Sequence, residues 1–192
     1  MNKIATHDSA TGEKGQGILS WLLTPFARTQ SKTIKEQYEA GCRMFDIRVK
    51  ARNGHFYCAH GWWYTEKRAV EVLEEINDFP EKCYVALTYE GKFKDDAHKL
   101  QFSRWYKYAK EVFPSISWGG IGIKYGKGSS LFNVKFEYLE PYPSTFPKAE
   151  ARYKKLDGRS WHILLPIPWL WKRFYYRNVE FTDVEYRWVD FL

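Results

Sequence analysis

The chain lacks several features that would assign it to a class directly. It has three cysteines in 192 residues, an odd number without a Cys-x-x-Cys pair, which argues against a disulfide framework. No run of about 18 apolar residues occurs, so no membrane-spanning helix is predicted. The first residues contain no apolar stretch of signal-peptide length, and internal repeats are absent. We therefore expect one domain over residues 1–192, cytoplasmic as written unless a leader was trimmed.

Positive charge is in excess but forms no block. Thirty Lys and Arg residues against 23 Asp and Glu residues give a formal net charge of +7. A basic surface favours anionic partners, although solubility alone would account for it equally well. Because the lysines are scattered and zinc-finger spacing is absent, we expect no nucleic-acid partner.

Short apolar segments alternate with helical patterns along the chain. Strands are predicted at 4–6, 43–51, 55–59, 83–88, 121–125, 134–138, 161–167 and 185–191, and helices at 18–23, 33–40, 68–77 and 95–113. This alternation favours an α/β fold with a mainly parallel sheet. Polar residues recur where the strands end, as at the carboxyl-terminal face of a β/α barrel, where active sites lie.

One predicted strand carries an aspartate and an arginine on the same face. Asp46 and Arg48 are two residues apart, whereas Phe45, Ile47 and Val49 lie on the opposite face. An ion pair or the solvated face of an edge strand would explain this pattern. If the apolar face meets helices, the two charged residues point into the interior or mouth of a barrel.

Two histidines, His7 and His60, stand beside turn residues at strand ends. Taken singly, each is more often a loop histidine than a catalyst. Together with an arginine and several carboxylates at one end of a sheet, they suit cleavage of a phosphodiester. One would take a proton from the attacking hydroxyl, the other would protonate the leaving alkoxide, and a guanidinium would stabilise charge on phosphorus.

Three motifs, in order, resemble the X-type catalytic domain of phosphatidylinositol-specific phospholipase C. They are THDSAT at 6–11, EQYEAGCRMFDIRV at 36–49 and CAHGWW at 58–63. Two further segments are similar to a later helix–strand junction and to the last barrel strand, namely FPEKCYVALTYEG at 79–91 and VDFL at 189–192. The close match covers residues 4–91. The resemblance implies a small irregular TIM-type (β/α) barrel.

The resemblance also implies roles for individual residues. His7 would be the general base on the inositol 2-hydroxyl and would be oriented by Asp190. His60 would be the general acid, assisted by Asp8. The products would be diacylglycerol and inositol 1,2-cyclic phosphate.

Arg48 bears on the question of a metal. The resemblance implies that Arg48 binds the phosphate and that Asp46 holds it, as in the metal-independent bacterial branch. The calcium-dependent branch has a metal-binding carboxylate at that place, and a guanidinium cannot ligate a cation. We therefore expect no metal and no other cofactor. Glu90 is interpreted as a hydrogen-bond acceptor at the rim in preference to a residual metal ligand.

Residues 92–187 resemble the family poorly, so contacts to the head group are weaker predictions. Lys124 is the candidate basic contact. Tyr138, beside Glu137, and Tyr142, two residues after Glu140, are candidates for holding the inositol ring.

A very apolar segment, ILSWLLTPF at 18–26, follows the His7 loop where bacterial members carry an interfacial helix. Leu19, Trp21, Leu22 and Leu23 are candidates for contact with lipid, and packing in the core is an equal alternative. For Trp62, next to His60, packing in the core is preferred.

The sequence thus predicts a metal-independent phosphodiester lyase acting on phosphatidylinositol or a glycosylated inositol phospholipid, monomeric and transiently bound to membranes. A glycerophosphodiesterase-like or sphingomyelinase D-like barrel is one alternative, and its need for Mg²⁺ or Ca²⁺ would make it sensitive to EDTA. A non-catalytic barrel that binds lipid or sugar phosphate is the other.

Overall fold

The computed structural model describes residues 3–126, 134–150, 154–155, 175–176 and 185–189, with side chains for 3–122, 139–148, 185–186 and 189. The helices are α1 (Gly17–Ala27), α2 (Ile34–Glu39), α3 (Ala69–Asn77) and α4 (Asp96–Val112), and a 3-10 turn spans Ser9–Gly12. The strands are β1 (Lys3–Thr6), β2 (Cys42–Arg52), β3 (His55–His60), β4 (Trp63–Arg68), β5 (Cys83–Glu90), β6 (Ile116–Gly126), β7 (Val134–Glu140), β8 (Ala149–Glu150), β9 (Lys154–Lys155), β10 (Tyr175–Tyr176) and β11 (Tyr186–Val189).

The main sheet has the strand order β7-β6-β5-β2-β1-β11-β8, and the neighbours from β6 to β8 are parallel. Strand β7 runs antiparallel to β6, and the β3–β4 hairpin is attached antiparallel to β2. In the part of the chain that the structure describes, β7 and β8 do not pair with each other, so the barrel is irregular and open there. The predicted α/β fold with mainly parallel strands is confirmed.

The two faces of β2 differ as the alternating pattern predicted. Phe45, Ile47 and Val49 are fully buried in the main core, which also holds buried residues of α3 and α4. Full burial of such a side chain contributes about 1.5–3 kcal/mol. The helices cover the apolar face of β2. Asp46 and Arg48 therefore point to the opposite face, toward the interior that the strands enclose.

The inner face of the sheet changes from apolar to charged along β2. Met44 packs with Ala5 and Tyr186 in a second buried cluster, and Tyr84 stacks edge-on against Tyr186 with ring centroids 5.8 Å apart. Met44 shares its face with Asp46 and the arginine beyond it. Apolar side chains thus fill the interior of the sheet at the Met44 end, and charged side chains occupy it at the Arg48 end.

Helix α2 begins and ends where the sequence predicted. The hydroxyl of Thr33 accepts a hydrogen bond from the Glu36 amide, and the Glu36 carboxylate accepts one from the Thr33 amide. This reciprocal cap satisfies two backbone donors at the start of the helix. The helix ends before Gly41, whose φ of 93° suits glycine.

Helix α1 extends past the predicted helix at 18–23 and runs through Pro25 to Ala27. A proline cannot donate to the carbonyl four residues earlier, yet the Arg28 amide still bonds to the Thr24 carbonyl at 2.9 Å. The helix is also anchored to β4, since the Tyr64 amide donates to Ser20 Oγ at 3.2 Å. These contacts hold the last turn in place despite the lost bond.

The segment after His60 forms β4, which the sequence pattern did not predict. Gly61 turns the chain with φ 62°, and His60 pairs with Trp63 across the hairpin. Trp63 is therefore the buried residue, 1% exposed, whereas Trp62 lies at the turn and is 75% exposed. The prediction that Trp62 packs in the core was wrong. The tight turn places Trp62 at its exposed tip and directs Trp63 inward.

Candidate active site

The loop after β1 is hydrogen-bonded to the end of strand β11 and to Gln30. The His7 amide donates to the Val189 carbonyl at 3.2 Å. The buried side-chain amide of Gln30 then donates to the carbonyls of both His7, at 2.8 Å, and Val189, at 2.7 Å. Three hydrogen bonds thus fix the position of this loop against strand β11.

Asp8 occupies a backbone conformation that few residues adopt. Its φ and ψ are both 47°, in the left-handed region, and its side chain is 1% exposed. The Thr11 amide and hydroxyl both donate to the Asp8 carbonyl, and the Asp8 amide donates to Asp46 Oδ2 at 3.1 Å. Strain of this kind is found most often at functional sites, where the surroundings enforce it.

Arg48 is the centre of a cluster of carboxylates. Its Nε contacts Asp8 Oδ1 and lies 3.1 Å from Asp46 Oδ2, while Nη1 lies 3.9 Å from Glu90 Oε2. Burial alone would lower the pKa of Arg48, but the three carboxylates outweigh that effect and raise it above its ordinary value. The guanidinium is therefore a fixed positive charge at any accessible pH.

His7 contacts the guanidinium directly. Its Nε2 lies 2.5 Å from Nη2 of Arg48, and its Nδ1 lies 3.8 Å from Asp8 Oδ2. Arginine can only donate, so Nε2 must accept and the proton of the neutral ring resides on Nδ1. The geometry therefore assigns the lone pair of His7 to Nε2.

His60 reaches the same carboxylate from the hairpin side. Its Nδ1 lies 2.9 Å from the carbonyl oxygen of Ala27, at the end of α1, and its Nε2 lies 3.8 Å from Asp8 Oδ2. A carbonyl oxygen only accepts, so Nδ1 carries a proton and the lone pair of the neutral ring lies on Nε2. The carboxylate of Asp8 thus lies between two imidazoles. The Nε2 of one accepts from the guanidinium, and the Nε2 of the other faces Asp8.

The cluster also contains donors that could hold a metal ion. Ligand atoms of His7, Asp8 and Asp46 lie within 4.8 Å of one another. The same carboxylates already contact Arg48, so an added cation would have to share them with a positive charge. The donor set suits a divalent cation, but the guanidinium disfavours one, and a metal-free site remains our prediction.

No protein-family model matches the chain. A phosphatidylinositol-specific phospholipase C structure from Listeria monocytogenes superposes with a TM-score of 0.46 at 20% identity, covering 79% of this chain and 60% of that one. One from S. aureus gives 0.42 at 19% identity, covering 66% and 48%.

A sequence match adds to this likeness. The chain is 38% identical over 78 residues to the 1-phosphatidylinositol phosphodiesterase of Listeria monocytogenes serovar 1/2a (strain ATCC BAA-679 / EGD-e). The match covers 40% of this chain and 23% of that protein, so the chain spans less than a quarter of its curated relative. The chain is thus similar to a bacterial enzyme of this kind over part of its length.

The structure brings together most of the residues that the sequence singled out: His7, Asp8, Asp46, Arg48, His60 and Glu90. Asp190 lies outside the described residues, as do the side chains of Lys124 and Tyr138. The backbone of Lys124 pairs with that of Glu90 at the ends of their strands. Tyr142 packs against Phe146 with centroids 5.1 Å apart, in the segment after β7.

An apolar surface on α1 borders the site. Five large side chains of the helix are exposed, a set that we call the apolar helix face: Ile18, Leu19, Trp21, Leu22 and Phe26. Leu23, the remaining candidate for lipid contact, is partly buried. The carbonyl that orients His60 belongs to the last residue of this helix, so the apolar helix face and the site are parts of one assembly.

Two site residues, Gln30 and Lys50, were missed at the sequence level. Gln30 lies in a short connection after α1, and no local pattern distinguishes it from a surface glutamine. Lys50 lies two residues beyond Arg48 and shares its face of β2, so the alternation that revealed Asp46 could also have revealed it.

Proposed function

We propose that the protein is a phosphodiester lyase that cleaves phosphatidylinositol, or a glycosylated inositol phospholipid, without a metal ion. The partial similarity to a curated 1-phosphatidylinositol phosphodiesterase supports phosphatidylinositol phosphodiesterase activity in general. The observation that carries the finer proposal is the arrangement around Asp8, where two histidines of opposite assigned roles flank one carboxylate beside a buried arginine.

The first step is attack by the inositol 2-hydroxyl. His7 Nε2 takes the hydroxyl proton while the oxygen forms a bond to phosphorus. Asp190, which would follow β11, is proposed to orient His7. Because the Nε2 lone pair accepts from Arg48, a phosphodiester that takes over the hydrogen bonds of Nη2 releases that lone pair for the hydroxyl proton.

The second step is departure of the diacylglycerol oxygen. The bond from phosphorus to this oxygen breaks, and the protonated Nε2 of His60 donates a proton to it. The products are diacylglycerol and inositol 1,2-cyclic phosphate. Asp8 assists by stabilising the imidazolium of His60 before transfer.

Arg48 supplies the charge that the reaction needs at phosphorus. Negative charge develops on the phosphoryl oxygens, and a guanidinium held by Asp46 and Asp8 offers donors that need no reorganisation. Removing one such donor from an enzyme costs about 10²–10³ in turnover. The fixed cation does what a metal ion would do in a metal-dependent site.

The apolar helix face is proposed as the surface that meets the membrane. Trp21 is 71% exposed, and tryptophan is favoured at the boundary between lipid and water. Trp62 at the hairpin turn, two residues after His60, is a second exposed tryptophan. None of the described helices has both the length and the hydropathy of a bilayer-spanning segment.

The test is phosphorus NMR of phosphatidylinositol vesicles incubated with the protein in EDTA. We expect a cyclic phosphate signal from the wild type and none from His7→Ala. His55→Ala is the matched control, because His55 is an exposed histidine at the start of β3. It should match the wild type.

Two results would overturn the proposal. Turnover that is lost in EDTA and restored by Ca²⁺ or Mg²⁺ would favour a metal-dependent phosphodiesterase, a second candidate to which the donor set of His7, Asp8 and Asp46 gives some support. Absence of turnover under both conditions on phosphatidylinositol, and on a panel of other phosphodiester lipids, would favour a binding barrel.

A further inference from the structure

The turn that follows His60 is held at both of its backbone polar groups by charged side chains. The Gly61 amide donates to Glu90 Oε1 at 3.2 Å, and the Gly61 carbonyl accepts from Lys50 Nζ at 3.0 Å. Glu90 ends β5 and Lys50 lies near the end of β2, so the two contacts come from neighbouring parallel strands of the main sheet.

The side chain of Lys50 passes close to Gly91 on its way to the Gly61 carbonyl. A Cβ atom placed on Gly91 would lie 3.6 Å from Lys50 Cε, so the aliphatic chain passes over a residue that has no side chain. The partial burial lowers the pKa of Lys50, and the nearby carboxylate of Glu90 partly offsets this effect. At this partly exposed position, the hydrogen bond to the Gly61 carbonyl replaces hydration that the ammonium group loses through its partial burial.

Glu90 connects the turn to the centre of the site. One carboxylate oxygen accepts from the Gly61 amide, and the other lies 3.9 Å from Nη1 of Arg48. The backbone next to His60 is therefore linked, through Gly61 and the side chain of Glu90, to the guanidinium that is proposed to bind phosphate.

We propose that Lys50 and Glu90 are positioning residues that clamp the Gly61 turn and thereby hold His60 Nε2 beside Asp8. The inference rests on the proposed function, in which His60 is the general acid.

The clamp has a physical reason. The turn carries the exposed Trp62, so a force on that side chain at a membrane would be transmitted through Gly61 to His60. Misplacement of a catalytic group by about 1 Å can cost about 10²-fold in rate. Two charge-assisted hydrogen bonds to one glycine oppose that displacement without contacting the substrate.

The variants separate the clamp from other roles. Glu90→Gln keeps an oxygen that can accept from Gly61 but removes the charge, whereas Glu90→Ala removes both. Lys50→Arg keeps a cationic donor, whereas Lys50→Met removes it at similar length. Lys14→Met is the control, since Lys14 is an exposed lysine paired with Glu66 on β4.

The first readout is turnover of phosphatidylinositol in detergent micelles. We expect kcat to fall about 30- to 100-fold in Glu90→Ala and about tenfold in Lys50→Met with little change in KM. Glu90→Gln and Lys50→Arg should recover most of the loss, and Lys14→Met should be unaffected. A rise in KM at constant kcat in Lys50→Met would instead make Lys50 a substrate contact and would overturn the clamp.

The second readout does not need turnover and so separates failure of the clamp from failure of the proposed function. Hydrogen exchange of the Gly61 amide and the imidazole chemical shifts of His60 are followed by NMR at one fixed pH. The clamp predicts faster exchange at Gly61 and displaced His60 signals in Lys50→Met as well as in Glu90→Ala, because the turn moves and the ring leaves Asp8. Exchange and chemical shifts identical to wild type in Lys50→Met would refute the clamp whether or not the protein is a lyase.

Discussion

The Nε2 atom of His7 lies 2.5 Å from Nη2 of Arg48, so the proposed base and the proposed phosphate ligand share a hydrogen bond. Since arginine never accepts, the contact fixes the tautomer of His7 without help from any other group. It also couples the two roles, because an anion that competes for the guanidinium frees the base. Binding of the substrate phosphate to Arg48 would thus free His7 to act as the base.

Arg48→Lys tests this coupling. A lysine keeps the charge but lacks the planar fork that reaches Asp8, Asp46 and His7 together. We expect kcat on phosphatidylinositol micelles to fall about 10²–10³-fold, while the protein stays folded by circular dichroism. Activity within a few-fold of wild type would show that point charge alone suffices and that the shared hydrogen bond has no role.

Asp8→Asn tests the carboxylate between the two histidines. Asparagine also tolerates the left-handed conformation, so the backbone is preserved while the charge is lost. We expect kcat to fall about 10²-fold, because an imidazolium at His60 loses the anion that lies beside its Nε2. A kcat within a few-fold of wild type would show that the Asp8 carboxylate has no part in the reaction.

The proposed contact with lipid is tested with Trp21→Ala on the apolar helix face and with Trp62→Ala at the hairpin turn. We expect weaker sedimentation with phospholipid vesicles and slower vesicle hydrolysis, with turnover of a soluble phosphodiester unchanged. Leu100→Ala, at an exposed leucine of α4, is the control and should bind vesicles like wild type. Equal losses on vesicles and on soluble substrate would mean that the tryptophans serve packing instead.

The cysteines are predicted to be unreactive in the folded protein. Burial raises the pKa of Cys42 to about 11 and that of Cys83 to about 12, and it also raises the pKa of Cys58. At pH 8 about one Cys42 in 10³ is a thiolate, and this fraction rises about tenfold for each pH unit up to its pKa. Iodoacetamide labelling followed by mass spectrometry should be at least about 100-fold faster in urea than in buffer. Rapid labelling at pH 8 with loss of activity would contradict the burial of these thiols.

Gln30→Met tests the tie between His7 and strand β11. The substitution keeps the size of the side chain and removes two hydrogen bonds, those to the carbonyls of His7 and Val189, which keep only Thr29 Oγ1 and the His7 amide as donors. We expect a loss of about 1–3 kcal/mol in the free energy of unfolding, measured by urea denaturation. Gln101→Met, at an exposed position of α4, should lose almost nothing. Equal stability of the two variants would mean that water replaces the Gln30 amide without cost.

Alternation along β2 predicted the inward direction of Asp46 and Arg48 because a strand has a strict period of two. The same rule failed at Trp62 and Trp63, since one glycine with positive φ reverses the chain between His60 and Trp63. Sequence spacing detects a face but does not detect a turn that a single residue produces.

The sequence pattern could not predict which residues the site residues contact. The contacts of Gln30 with residues 7 and 189 depend on pairing between distant strands, which has no local signature. The role of Asp8 between the two histidines likewise depends on loops that meet only in the folded chain.

The His7 amide bonds to the carbonyl of Val189, and this contact has the largest sequence separation of any hydrogen bond described above. Gln30 reinforces it by donating to the carbonyls of the same two residues. Contacts between such distant residues form late, because the chain must first close a loop of nearly its whole described length. A nascent chain would therefore leave His7 in an unfinished loop until β11 has been synthesised and paired, and completion of the proposed site would wait for that strand.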